Sequence, residues 1–146
     1  MKLAKEVRNS SVRSGKQVFH CLKHMIGENK NKFLKQFDSK IKSKETPCTY
    51  PVALGITAVC LDLPIQSVMR IFLYSFSSSV VSAAIRLCVI QHLDAQKILM
   101  LLAEHVNNII LNLTQKKTTK DIWQLTPLTE IHQMKHEHSE SKMFIT

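Results

Sequence analysis

The chain has 146 residues, 45% hydrophobic and 21% charged, which suits one folded domain and excludes a disordered polymer. Three glycines and four prolines supply too few turns for a β-sandwich or barrel, and the absence of G-x-x-x-x-G-K-[ST] and G-x-G-x-x-G excludes a P-loop nucleotidase. The net charge of +9 sits mostly at the front: residues 1–50 hold 12 Lys and Arg against 4 Asp and Glu, residues 51–110 hold 3 against 3, and residues 111–146 hold 5 against 4.

In chain order, Val18, Phe19, Leu22, Met25 and Ile26 share a helical face, and Gly27 offers a stop. Residues 28–46 are Lys-rich, with Phe33, Leu34, Phe37 and Ile41 spaced for either a short amphipathic helix or a loop. Pro51 suits the first turn of a helix carrying Val52, Ile56 and Val59, and Gly55 inside it marks an expected close helix–helix approach. Pro64 opens the next helix, with Asp62 near its positive end and an expected break around Ser77, Ser78 and Ser79. The uncharged run 71–85 is shorter than the ~20 apolar residues of a membrane span, so a buried core helix is expected, with Ser78, Ser82 and Ala83 admitting a neighbour. Asp94 reads as the N-cap of a helix over 95–113, whose apolar stripe is Ile98, Leu101, Leu102, Val106, Ile109, Ile110 and Leu113. Residues 114–127 read as a polar connection with Trp123 tucked onto the core, and the rest as a tail too polar to fold alone. These elements predict an all-α bundle of mostly antiparallel helices in a single domain, 1–146. Within it, 1–46 is basic and partly flexible, and 127–146 is a C-terminal tail.

Catalytic signals are scarce. There is no G-x-S-x-G and no H-E-x-x-H, and Cys60 and Cys88, in apolar segments, read as inert core thiols. Cys21, Cys48, Cys60 and Cys88 form no C-x-x-C, and MKLAKEVRNS lacks the apolar region of a secretory signal, so free thiols in the cytoplasm are expected. His132, His136 and His138 form a metal-like cluster, which reads more simply as an exposed histidine-containing tail. The basic first third is compatible with a small basic helical protein that binds nucleic acid or an acidic surface. Its aromatics are few, however, and no RRM or zinc-finger pattern is present.

Four segments in order carry a resemblance: Glu6-Val7-Arg8 with Gly15; Tyr50-Pro51-Val52-Ala53-Leu54-Gly55; YSFSSSVVSAAIRLCVIQHLDAQ from Tyr74 to Gln96; and Pro127-Leu128 through Ile131, Met134-Lys135-His136-Glu137 and Ser141-Lys142-Met143-Phe144. Together they resemble the urease accessory protein family UreF, whose motifs run E-x-R…G, Y-P-V-A-x-G, V-S-A-A-[VI]-R-L and M-R-H-E…S-R-L-F. The resemblance implies an all-α, non-enzymatic scaffold and nickel-insertion chaperone. Its partners would be UreD (also UreH), the GTPase UreG and the urease apoprotein. It also implies a homodimer, and nickel handled in transit by the complex with no cofactor firmly bound by this chain. No membrane is implied, and nucleic acid is not an expected partner.

By the same resemblance, Arg86 and Ser82 are partner-binding, as are His136, Glu137, Lys142 and Phe144 in the part laid onto UreD, while Arg70 and Tyr74 fall at the homodimer contact. Two departures stand out. The family's P-L-G-Q turn reads Val89-Ile90-Gln91-His92, and the terminal arginines are replaced, with Lys142 at one of them. The chain also begins about where the family's middle helices begin, lacking its N-terminal portion. It is therefore expected to be either a reduced but working accessory protein or a truncated product of lower activity.

Overall fold

The computed structural model describes residues 4–27, 31–115 and 126–139. These form six helices and, among the described residues, no strand: α1 Lys5–Ile26, α2 Lys32–Lys42, α3 Tyr50–Cys60, α4 Ile65–Arg86, α5 His92–Gln115 and α6 Pro127–Glu137. The all-α expectation is met. The chain divides into two compact units, one drawn from residues 1–61 and 120–146, the other from 62–119.

In the first unit, α1 packs on α3 and α6, and α2 packs on α3. The core is Phe19, Leu22, Leu34, Phe37, Cys48 and Ala53, with Val18, Ile26, Ile41, Ile56 and Cys60 against it. Phe19 and Phe37 meet edge to face, ring centroids 5.1 Å apart, an arrangement that the aromatic quadrupole favours. Within the Lys-rich segment 28–46, residues Lys32–Lys42 form a helix. The Asn31 side chain accepts the Phe33 N–H at 2.9 Å as an N-cap, and Leu34 and Phe37 turn inward. Asp38 on α2 bridges Lys23 of α1 at 3.1 Å and Lys42 one turn on at 2.6 Å.

The glycine that admits a close approach is Gly15, and the expectation for Gly55 fails. A Cβ at residue 15 would lie 2.6 Å from the Thr49 carbonyl carbon, 2.7 Å from the Tyr50 nitrogen and closer still to the Cys48 carbonyl oxygen, whereas one at residue 55 meets nothing. With backbone pressed on α1, α3 turns Ala53, fully buried, toward the core; of the expected face Val52, Ile56 and Val59, Ile56 packs against that core while the two valines are exposed. Pro51 does occupy the first turn of α3.

The second unit is a hairpin of α4 and α5 joined by residues 87–91. Arg70 Nε donates to Asn107 Oδ1 at 3.0 Å, tying the start of α4 to the far half of α5, as an antiparallel pair requires. Helix α4 runs unbroken through the serine triplet, because the Ser79 hydroxyl donates to the Ser75 carbonyl at 2.7 Å and satisfies itself on its own helix. Helix α5 starts at His92, two residues before the expected cap, so Asp94 lies in its first turn, where a carboxylate meets the positive end of the helix dipole.

The expectation of a buried core helix is corrected. Only Val68 and Val81 of α4 are buried, while Ile65, Ile71, Tyr74, Phe76 and Val80 are exposed. Among the described residues, α4 is the helix long and apolar enough to cross a membrane, by length and composition alone. In α5, Ala95 and Ile110 are buried, yet Leu101, Ile109 and Leu113 of the expected stripe are exposed. Two helices alone have too little facing surface to cover every apolar side chain they carry.

Candidate interaction surfaces

Three of the sequence motifs meet in space. The Glu6…Gly15 segment forms the first three turns of α1. Gly15 receives the backbone at Cys48–Tyr50, and the buried Ser11 hydroxyl accepts the Tyr50 N–H at 3.4 Å. At the other end of the same segment, α6 returns onto α1. The Glu137 carboxylate accepts the Lys5 N–H at 2.9 Å, satisfying one of the amides that a helix start leaves unpaired. His136 Nδ1 lies 2.9 Å from Glu6 Oε2. The polar tail therefore folds as a helix through residue 137, held by contacts with α1 that a reading of the tail in isolation misses. His136 and Glu137, expected to serve a partner, are engaged within this unit. Lys142 and Phe144 lie outside the described residues, as does Trp123.

His132, His136 and His138 are not drawn into a ligand set, because His136 turns to Glu6. Among the described residues, no group of three or more His, Cys, Asp or Glu is placed to hold a metal. The four cysteines form no disulfide. Burial pushes the Cys48 thiol up despite the opposing Lys16 charge, and burial does the same for Cys60, so neither is poised as a thiolate nucleophile. The reading of Cys88 as a core thiol is corrected, since it is exposed in the turn after α4.

On the α4–α5 hairpin, Arg70 and Tyr74 line an open groove of about 440 Å³ with Ile71, Leu99, Leu102 and Val106. Tyr74 is 59% exposed, with a large ring presented beside an apolar floor. Ser82 and Arg86 lie one turn apart at the end of α4, both exposed. The guanidinium thus sits at the negative end of the helix dipole. The two residues share a helix with Arg70 and Tyr74, but no described contact joins the two pairs.

The UreF family model matches residues 1–103. The chain belongs to the UreF family. It is 29% identical to the urease accessory protein UreF of Sporosarcina pasteurii over 150 residues, covering all of this chain and 70% of that protein. Against UreF 2 of Brucella suis the identity is 32% over 99 residues, covering 68% of this chain and 40% of the relative. Against UreF of Trichodesmium erythraeum it is 27% over 111 residues, covering 76% and 47%. The chain thus spans less than half the length of two of these three relatives.

Two features are not read from motifs alone. Gly15 is a motif residue whose role depends on which backbone crosses it. The pair His20 and His24 repeats the four-residue spacing of His132 and His136, so its signal was present.

Proposed function

We propose that this chain serves urease maturation as a cytoplasmic, non-enzymatic UreF-type scaffold for nickel insertion. It assembles with UreD (UreH), the GTPase UreG and the urease apoprotein. Nickel passes through the assembled complex and is not firmly held by this chain alone.

The observation that carries the reading is the α4–α5 hairpin of a UreF family member, whose apolar side chains face solvent on both helices. Exposed apolar surface of this kind marks a contact with a protein or a membrane, and membership of an accessory-protein family favours a protein. The groove at Arg70 and Tyr74 is where a second copy docks to form the homodimer, an aromatic and an arginine being the side chains that most often anchor interfaces. Arg86, with Ser82, presents a planar guanidinium suited to a partner carboxylate. At the other unit, His136 and Glu137 contact UreD together with Lys142 and Phe144, in competition with Glu6 and Lys5.

Co-expression with the cognate UreD and UreG, followed by pull-down on this chain, tests the reading. A soluble complex is expected, and Arg86→Ala should weaken it without loss of helix content by circular dichroism. A soluble chain that captures neither partner overturns the proposal.

A further inference from the structure

The solvent side of α1 carries a histidine pair, opposite the core that Phe19 and Leu22 fill. His20 and His24 are both exposed and stand one helical turn apart. Their Nε2 atoms are 3.1 Å apart, and the rings meet edge to face with centroids at 4.4 Å and an interplanar angle of 79°. At that distance one ring donates its Nε2–H to the lone pair of the other. Moving the shared proton to Nδ1 of the donating ring gives the other neutral tautomer and leaves two Nε2 lone pairs 3.1 Å apart, which rotation of the rings about their side-chain bonds can turn toward one ion.

Two imidazole nitrogens bound to one divalent ion at about 2.0–2.1 Å lie roughly 2.9 Å apart at a right angle and roughly 3.4 Å apart at the tetrahedral angle. The observed 3.1 Å falls between these, so the two nitrogens are already spaced as one ion requires. The spacing is set by the backbone of a 22-residue helix whose inner face is anchored in the core, so the two rings are held close before any ion arrives.

We propose that His20 and His24 form a two-imidazole site on α1 for a borderline first-row divalent cation of the nickel, copper or zinc class. Imidazole suits these ions, whereas magnesium and calcium seek oxygen ligands. Two protein ligands leave the remaining positions to water or to a partner's side chains, so the site takes and releases its ion reversibly. A closed four-ligand structural site would retain it. The inference stands on the geometry of α1 and does not depend on the family assignment or on the α4–α5 surface.

Calorimetric titration of the full chain with Zn²⁺ at neutral pH tests it, with circular dichroism to verify that the variants keep their helix content. The wild type should bind one ion with saturation at this site. His20→Ala and His24→Ala should each weaken that binding by about tenfold or more, roughly 1.4 kcal/mol per factor of ten. The pair His132→Ala/His138→Ala should leave it in place. A second reading is thermal: Zn²⁺ should raise the melting temperature of the wild type to the extent that the pre-spaced pair on the folded helix binds it more tightly than the unfolded chain does, and should do so less in either single variant. Unchanged affinity in both His20→Ala and His24→Ala, loss of binding only in the His132/His138 variant, or no saturable binding by the wild type would each overturn the proposal.

Discussion

The two units solve the same problem, covering the apolar faces of short helices, in opposite ways. In the unit of α1, α2, α3 and α6, long-range contacts converge. Gly15 takes the backbone of Cys48–Tyr50, Phe19 meets Phe37, and Glu137 and His136 hold the start of α1. In the α4–α5 hairpin the two helices pack on each other and leave Tyr74, Phe76, Met100 and Leu101 well exposed. The first arrangement is a core closed by its own sequence. The second leaves much of its apolar surface uncovered among the described residues.

The sharpest way to break that comparison is a matched pair of truncations. Phe37→Ala should cost about 4 kcal/mol, because a buried ring is lost from a core that cannot collapse around the gap. Leu101→Ser, at a side chain 66% exposed, should change stability by no more than about 0.5 kcal/mol while raising solubility. Chemical denaturation of both variants measures this, and equal costs would erase the distinction. Gly15→Ala comes next, at about 3 kcal/mol, since the added methyl meets backbone and not a side chain that could swing away. The same change at Gly55 should be neutral or slightly stabilising, because nothing lies within reach there and alanine favours a helix.

Helix ends offer a smaller effect of opposite sign. Cys88 has φ 56°, and the Val89 N–H reaches the Ala84 carbonyl at 3.0 Å while the Cys88 N–H reaches Ile85 at 2.9 Å, the pattern in which glycine is usual. Cys88→Gly should therefore stabilise the hairpin by about 1 kcal/mol, read as a higher melting temperature. Smallest is the Asp38 bridge. The Lys42 hydrogen bond, more than the Lys23 contact, holds the Asp38 carboxyl below its ordinary value against the opposing pull of burial. A carboxyl lowered in the folded state adds stability above its unfolded pKa and loses it as the pH falls through the lower folded value. Asp38→Asn should thus lose a few tenths of a kcal/mol at pH 7 and progressively less as the pH falls below the ordinary carboxylate value, by urea titration across that range.

The helices were legible wherever a periodic apolar face or a proline announced them, as at Pro51 and for the body of α5. Their ends were less so. With three glycines in the chain, α2 and α4 are followed by Lys44 and Cys88 in the left-handed region, residues that give no stop signal in the sequence, whereas after α3 the left-handed Asp62 is followed by Pro64. Which apolar residues are buried was harder still. Ala53 outranks Val52 because α3 presses on Gly15, and Leu101 is exposed because no third helix in its unit covers it. The candidate site residues could be named from motifs, but the sequence did not show that Glu6 and His136, 130 positions apart, form a pair.

The central claim is that the α4–α5 hairpin is an assembly surface. The most direct measurement is the mass of the full chain in solution by light scattering across a concentration series, for the wild type and Tyr74→Ala. The account predicts a wild-type dimer of twice 16.7 kDa that Tyr74→Ala shifts toward monomer by about tenfold in dissociation constant. A wild type that stays monomeric at every concentration, or a dimer indifferent to Tyr74, would contradict it.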